Sequence, residues 1–139
     1  MSNFQRITRR GSRLSDRWGS GQFGAGRGSR QHQGLDLLAD PGEAVFSPIA
    51  GTIRREALPY AGDARYRGIV ITGDGEWNGY EVKLFYVEGL SCGSVRAGEV
   101  VGHAQDLSAK YPGITNHVHV EVRKDGRLLA PFEAFGACL

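Results

Sequence analysis

The chain has 139 residues, 40% of them hydrophobic, which is enough for one domain with a buried core. It contains no internal repeat and no apolar run of membrane-spanning length, so we expect neither a solenoid nor a membrane-inserted protein. The formal net charge of +2 combines +6 over residues 1–30 with −4 over residues 31–139, and the acidic body argues against nucleic-acid binding.

Short extended segments separated by turns follow one another along the chain. The 21 glycines include turn dipeptides such as Asp74-Gly75 and Asn78-Gly79. The predicted strands are 35–38, 44–46, 51–56, 68–72, 80–87, a short strand ending near 102, 117–123 and 128–129. Residues 58–67 and 106–115 are predicted loops, and 131–135 one helical turn. The pattern predicts an all-β domain built from antiparallel strands.

Two short motifs hold three of the four histidines of the chain. They read His32-Gln-Gly-Leu-Asp36 and His117-Val-His119-Val-Glu121. Side chains at i, i+2 and i+4 of a strand share a face, so each motif aims its polar groups in one direction. If the two segments are neighbours, two nitrogens and one oxygen surround a point, with a third imidazole beside it. That is the ligand set of a catalytic zinc, although either motif alone is also typical of surface or hydrogen-bonded histidines.

The chain resembles the lysostaphin/LytM-type zinc endopeptidases, which cleave peptides of bacterial cell walls, and in particular the leukocyte cell-derived chemotaxin branch. The similarity extends over residues 14–135 and rests on the two histidine motifs in this order and spacing. Further matching stretches are 16–23, 30–37, 82–87, 98–102 and 111–114. The resemblance implies a twisted antiparallel sheet of the duplicated-hybrid-motif type with a zinc-containing groove. It also implies a domain over 14–139 after a basic N-terminal tail at 1–13.

The resemblance implies specific roles for individual residues. One Zn²⁺ per chain would be held by His32, Asp36 and His119. His117 would be the catalytic acid/base or the donor to the developing oxyanion, and Glu121 would orient a ligand imidazole or be a structural carboxylate. The expected residues of the groove are Trp18, Phe23, Tyr60 and Tyr111.

One position departs from the family pattern. Active members carry a further catalytic histidine in a Tyr-x-His sequence, whereas this chain reads Phe85-Tyr86-Val87. The chemotaxin branch shares an apolar residue there and is regarded as zinc-binding but not proteolytic. Lost general acid–base help costs ~10²–10⁴ in rate. His103 could supply that help or be a surface histidine, and Tyr86 or Tyr111 could bond to the oxyanion or pack in the core.

The sequence supports two candidate functions, which belong to different classes of protein. The first is a zinc-dependent endopeptidase that hydrolyses peptidoglycan, as a phage lytic protein or a delivered antibacterial toxin. The alternative is an inactive zinc-binding module that binds a wall peptide or a protein partner. His117 favours the enzyme and Val87 favours the module.

The N-terminal sequence indicates where the protein is made and where it acts. No apolar segment follows the first charged residues, so no signal peptide is predicted. We expect synthesis in the cytoplasm and action in the periplasm or outside the cell, by phage lysis or a dedicated secretion route, unless the natural precursor carries a presequence. Cys92 and Cys138 are the two cysteines, and the sequence leaves open whether they form a disulfide.

Overall fold

The computed structural model describes residues 5–9, 26–27, 30–31, 34–60, 62–89 and 93–129. Within these ranges the regular structure consists of twelve strands and a single 3-10 turn at Gly75–Trp77. The strands are β1 Gly26–Arg27, β2 Arg30–Gln31, β3 Leu35–Leu38, β4 Ala44–Phe46, β5 Gly51–Ala57, β6 Gly68–Gly73, β7 Tyr80–Phe85, β8 Val87–Gly89, β9 Gly93–Val95, β10 Val100–Ala104, β11 His117–Lys124 and β12 Arg127–Leu129. No helix in the described part of the chain is both long enough and apolar enough to span a membrane.

Strand β11 organises the large antiparallel sheet. It pairs with β7 along one side and with both β3 and β12 along the other. Strands β6, β5 and β9 continue the sheet beyond β7, and the order is β12-β11-β7-β6-β5-β9. A second antiparallel sheet has the order β4-β10-β8, and β1 pairs with β2. The first histidine motif therefore runs into a strand that lies directly beside the second.

Alternation along β11 separates the core from the polar face. Val118, Val120 and Val122 are fully buried in the hydrophobic core, where side chains of both larger sheets meet. Burial of a valine side chain stabilises the folded state by about 1.5–3 kcal/mol. Because successive side chains of a strand point to opposite faces, His117 and His119 lie on the other face. The valines thus fix which way the histidines point.

Most predicted strands are confirmed, and one is wrong. Strands 35–38 and 44–46 have the predicted bounds, and β5, β6 and β11 are each one residue longer than predicted. The single strand predicted over 80–87 is instead two, because Tyr86 has a φ of 67° and breaks the extended conformation. Strands β1, β2 and β9 were not predicted, and the helical turn predicted at 131–135 lies outside the described residues.

Residues 5–9 pack on the second sheet. Ile7 and Thr8 are 2% and 1% exposed, and Ile7 belongs to the hydrophobic core. The amide of Phe46 donates to the carbonyl of Ile7 at 2.9 Å, and the amide of Gln5 donates to Pro48 at 2.8 Å. This part of the expected basic tail is therefore integrated into the domain. The domain boundary expected between residues 13 and 14 lies outside the described residues and stays a prediction.

Candidate functional site

Asp36 contacts both histidines of the second motif. In the β3–β11 register, His119 lies opposite Asp36 and His117 opposite Leu38. Oδ1 of Asp36 lies 3.0 Å from Nδ1 of His119, and Oδ2 lies 3.3 Å from Nε2 of His117. Asp36, His117 and His119 are all buried. The two motifs thus bring one carboxylate and two imidazoles together, as the spacing suggested.

Hydrogen bonds on the far side of each imidazole define where its proton sits. Nδ1 of His117 lies 2.8 Å from the carbonyl oxygen of Thr115, and Nε2 of His119 lies 2.9 Å from Oε2 of Glu121. A carbonyl and a carboxylate only accept hydrogen bonds, so these two nitrogens are the donors. Asp36 also only accepts, so a hydrogen bond at Nδ1 of His119 requires a ring protonated at both nitrogens, whereas in a neutral ring that nitrogen and the carboxylate both present lone pairs. This electron-rich arrangement suits a bound cation or additional protons.

Glu121 holds His119 from the side opposite Asp36. Nη1 of Arg123 donates to Oε1 of Glu121 at 3.1 Å, while the other carboxylate oxygen accepts from His119. Burial raises the pKa of Glu121, but the hydrogen bonds and charges of His119 and Arg123 outweigh burial and lower the pKa to about 2. Burial lowers the pKa of His119, but its hydrogen bonds to Asp36 and Glu121 outweigh burial and raise it. Glu121 is therefore an anion that orients the imidazole.

Two further residues pack closely against the His119 ring. A Cβ atom added to Gly34 would lie 2.2 Å from the carbonyl oxygen of Val120 and 2.8 Å from Cε1 of His119. The ring of Phe85 is stacked on the imidazole, with centroids 5.6 Å apart and an interplanar angle of 16°. Sequence reasoning assigned no role to Gly34, although a glycine between His32 and Asp36 was the available signal. Only a residue without a side chain allows this approach.

The residues present fit zinc in their chemistry. Imidazole nitrogen and carboxylate oxygen are common zinc ligands, and zinc-binding histidines usually donate their second ring N–H to a carboxylate or carbonyl, as His119 does to Glu121. Within the ranges that the structure describes, no group of three or more His, Cys, Asp or Glu side chains is arranged to hold a metal ion. His32, the third expected ligand, lies outside those ranges, as do Trp18 and Phe23.

Comparison with known proteins identifies the family. The chain is similar to leukocyte cell-derived chemotaxin-2 of Mus musculus, with 39% identity over 111 residues that cover 78% of this chain and 71% of the relative. The chain belongs to the leukocyte cell-derived chemotaxin-2 family. A comparison with models of protein families finds no match.

Solved structures show that this chain has the lysostaphin/LytM-type fold. The solution structure of lysostaphin matches with a TM-score of 0.67 and 14% identity, over 98% of this chain and 54% of that one. A zinc-containing peptidase from Vibrio cholerae matches with a TM-score of 0.55 and 22% identity, over 90% of this chain and 39% of that one. The chain therefore spans about half or less of these two proteins.

Val87 lies in the hydrophobic core. It is 0% exposed and belongs to β8, which pairs with β10 in the second sheet. Val87 therefore does not project to the same face as Phe85, although the unbroken strand predicted over 80–87 would place it there. The physical reason is the turn of the backbone at Tyr86, which moves the chain from one sheet to the other.

The tyrosines expected near the groove form a cluster beside His117. The Tyr86 ring makes an edge-to-face contact with the His117 ring, with centroids 5.5 Å apart. The hydroxyl of Tyr60 is hydrogen-bonded to that of Tyr86 at 2.8 Å and also to that of Tyr111. Burial raises the pKa values of Tyr60 and Tyr111, so both are neutral phenols. Tyr60, Tyr86 and Tyr111 thus form one connected group.

His103 is placed differently from the other two described histidines. It is exposed on β10, where it pairs with Ala44 of β4 and Glu88 of β8 in the second sheet. His117 and His119 are instead buried on the large sheet. A catalytic role for His103 stays a prediction.

Asn116 fixes the start of β11 and was not anticipated from the sequence. Its amide nitrogen donates to the carbonyls of Ala39 at 2.8 Å and Gln105 at 2.9 Å, and its side-chain oxygen accepts from the amide of Leu107 at 2.9 Å. One side chain thereby joins the ends of β3 and β10 to the residue before His117. The one sign of this role in the sequence was that Asn116 directly precedes His117.

Proposed function

We propose that this domain is a zinc-dependent endopeptidase that hydrolyses peptide bonds in bacterial peptidoglycan. The observation that carries the proposal is the convergence of Asp36, His117 and His119, with one ring nitrogen of each imidazole directed at the same carboxylate. His32, Asp36 and His119 would hold one Zn²⁺. When bound, zinc polarises a carbonyl and lowers the pKa of a bound water to ~7.

His117 would supply the proton transfer or the oxyanion contact. Its Nδ1–H is committed to the carbonyl of Thr115, so Nε2 is the atom that faces the reacting groups. At Nε2 the neutral ring accepts a proton from water, and the protonated ring donates to the developing oxyanion or to the leaving amine. Such a group contributes ~10²–10⁴ to the rate. A site that only held zinc would have no chemical need for this oriented imidazole.

A second candidate function is a zinc-binding module that binds a wall peptide or a protein partner without cutting it. Two observations favour it. Val87, at the position of the second catalytic histidine in active relatives, is buried in the core. The sequence relative at 39% identity is named a chemotaxin, not a peptidase. For the enzyme, we place the action of the domain in the periplasm or outside the cell, as a phage lytic protein or a delivered antibacterial toxin.

Digestion of purified peptidoglycan tests the enzymatic proposal. Zinc-loaded protein is incubated with sacculi of several cross-bridge types, and the released muropeptides are identified by mass spectrometry. We expect new amino termini within stem peptides or cross-bridges. Metal-free protein and His117→Ala should release at least ~10²-fold less. If zinc-loaded protein releases nothing from any wall yet co-sediments with sacculi, the binding-module function replaces the enzyme.

Metal analysis of the same variants separates the ligands from the acid/base residue. We expect close to one zinc per wild-type chain, no bound zinc in His119→Ala, and full zinc content in His117→Ala. Equal loss of zinc in both variants would make His117 a ligand and remove its proposed catalytic role.

A further inference from the structure

Tyr86 occupies a backbone conformation that bulky residues rarely adopt. Its φ of 67° lies in the left-handed region, where a side chain with a Cβ is disfavoured. The surrounding backbone fixes this conformation, because the amide of Tyr86 donates to the carbonyl of Arg67 at 2.7 Å and its carbonyl accepts from Gln105 at 2.8 Å. Outliers held in this way concentrate at functional sites.

The kink changes where two consecutive aromatic rings point. In an extended strand, residues 85 and 86 would project to opposite faces of the sheet. Here the Phe85 ring stacks on His119 and the Tyr86 ring meets His117 edge-on, with an interplanar angle of 89°. His117 and His119 lie two residues apart on one face of β11. The consecutive residues Phe85 and Tyr86 therefore both contact that same face. Only a break in the extended conformation produces this arrangement.

The Tyr86 ring is itself held by other tyrosines. Its hydroxyl is bonded to that of Tyr60, which is also bonded to Tyr111. The ring of Tyr66 makes edge-to-face contacts with Tyr60 at 6.0 Å and with Tyr86 at 6.2 Å. Nζ of Lys110 lies 4.3 Å from the Tyr60 ring centroid, in a cation–π contact. Side chains from two loops therefore fix the orientation of the ring that contacts His117.

We propose that Tyr86 is a positioning residue that fixes the imidazole of His117 so that its Nε2 is presented to Asp36. The left-handed backbone brings the ring to the site, and the bonded hydroxyls of Tyr60 and Tyr111 hold it there. On the other side of His117, the carbonyl of Thr115 fixes Nδ1. The aromatic contact and the hydrogen bond together hold the ring in one orientation, with Nδ1–H directed at Thr115.

Substitution of Tyr86 by glycine and by phenylalanine separates this role from a structural one. Glycine adopts a positive φ without strain, so Tyr86→Gly keeps the kink and removes the ring. Phenylalanine keeps the ring and removes the hydroxyl. Asp125→Gly is the matched control, because Asp125 has a φ of 51° in the turn between β11 and β12, away from His117.

The first measurement is the ¹⁵N-resolved imidazole spectrum of the metal-free protein, which reports the tautomer of His117 without any activity. We expect wild type and Asp125→Gly to show a single His117 ring environment with the proton at Nδ1, and Tyr86→Phe, which keeps the ring but loses the bond to Tyr60, to be disturbed less than Tyr86→Gly. In Tyr86→Gly the His117 signals should average between tautomers, while the backbone amide shifts of β11 are retained. A single unchanged tautomer in Tyr86→Gly overturns the proposal, and so does equal disturbance in Tyr86→Phe.

The second measurement rests on the proposed hydrolytic function. In Tyr86→Gly we expect kcat for muropeptide release to fall ~10²-fold, with zinc content unchanged and KM altered less than twofold, because misplacement of a catalytic group acts on the chemical step. An unchanged kcat in Tyr86→Gly contradicts positioning. If wild type releases no muropeptides, the hydrolytic function fails, and the imidazole spectrum decides the role of Tyr86 by itself.

Discussion

Each imidazole of the site is held by more than one neighbour. His119 is bonded to Asp36 and Glu121, stacked on Phe85 and approached by Gly34. This number of contacts on one buried ring fixes its orientation before any ligand binds. If zinc binds as proposed, this support of the imidazole reduces the reorganisation that binding requires.

Glu121→Gln tests the support of the proposed zinc ligand. Glutamine has nearly the same shape but lacks the charge that makes Nε2–H of His119 a strong donor, so the imidazole should become a poorer ligand. We expect zinc affinity to fall ~10–100-fold, measured by competition with a chromophoric chelator. Glu81→Gln on β7, opposite Arg123 in the register, is the charge-matched control and should leave the affinity unchanged. Unaltered affinity in Glu121→Gln would reduce Glu121 to a structural carboxylate.

Gly34→Ala tests the close approach of the first motif to His119. The added methyl would overlap the Val120 carbonyl and the imidazole, so the chain must move away from β11. We expect a loss of about 1–3 kcal/mol in the free energy of unfolding, by urea titration, together with weaker zinc binding. Gly102→Ala is the control, because its added Cβ would lie 2.5 Å from the carbonyl oxygen of Glu88 in the other sheet. That variant should lose stability while its folded molecules bind zinc normally. Normal zinc binding in Gly34→Ala would contradict the assigned role.

At the scale of the elements, the break between β7 and β8 has two consequences. It places Phe85 and Tyr86 against the site histidines, and it sends the next residue into the core of the second sheet. One unusual backbone conformation therefore serves both the site and the packing between the sheets. Val87 is part of that packing, since a Cβ on Gly102 would lie 2.6 Å from Cγ1 of Val87.

Val87→His is therefore expected to destabilise the domain and not to increase activity. Burial of an imidazole without a partner costs about 1–3 kcal/mol, and the larger side chain adds strain in a packed core. We expect the free energy of unfolding to fall by at least about 2 kcal/mol, with no gain in muropeptide release. Val87→Leu controls for size and should lose less stability. Wild-type stability combined with tenfold faster release would show that position 87 faces the site in solution.

Sequence patterns predicted the strands that alternate or are rich in β-branched residues. β11 was predicted because its buried valines alternate with polar residues, and the hydrophobic pattern of a strand sets its face and register. The convergence of Asp36 with the two histidines followed from the same alternation. The break at Tyr86 was not predictable, because Tyr80 to Val87 alternates without a glycine or proline, and tertiary contacts impose the positive φ. Gly34 and Asn116 were missed because their roles depend on contacts between distant segments.

At the scale of the whole molecule, the two larger sheets share one hydrophobic core, and an N-terminal segment closes part of it. Ile7 and Thr8 are buried beside β4, and backbone bonds join this segment to Phe46 and Pro48. The polar face of the large sheet, with His117 and His119, lies on the other side of β11 from that core. Substitutions in the core should therefore lower the free energy of unfolding without changing zinc binding by the folded molecules.

Ile7→Ala tests whether the N-terminal segment stabilises the domain. Removal of a buried isoleucine side chain costs about 2–5 kcal/mol through lost apolar burial and the cavity that remains. We expect a loss in that range by urea unfolding, with zinc content unchanged, because Ile7 packs in the core and not on the polar face. The exposed neighbour Arg9 provides the control, and Arg9→Ala should stay within about 0.5 kcal/mol of wild type. Deletion of residues 1–4 should leave the free energy of unfolding near that of wild type. Deletion of residues 1–9 should lower it at least as much as Ile7→Ala does. If Ile7→Ala and the longer deletion both match wild type, the segment does not pack on β4 in solution, and it belongs to the basic N-terminal tail expected at 1–13.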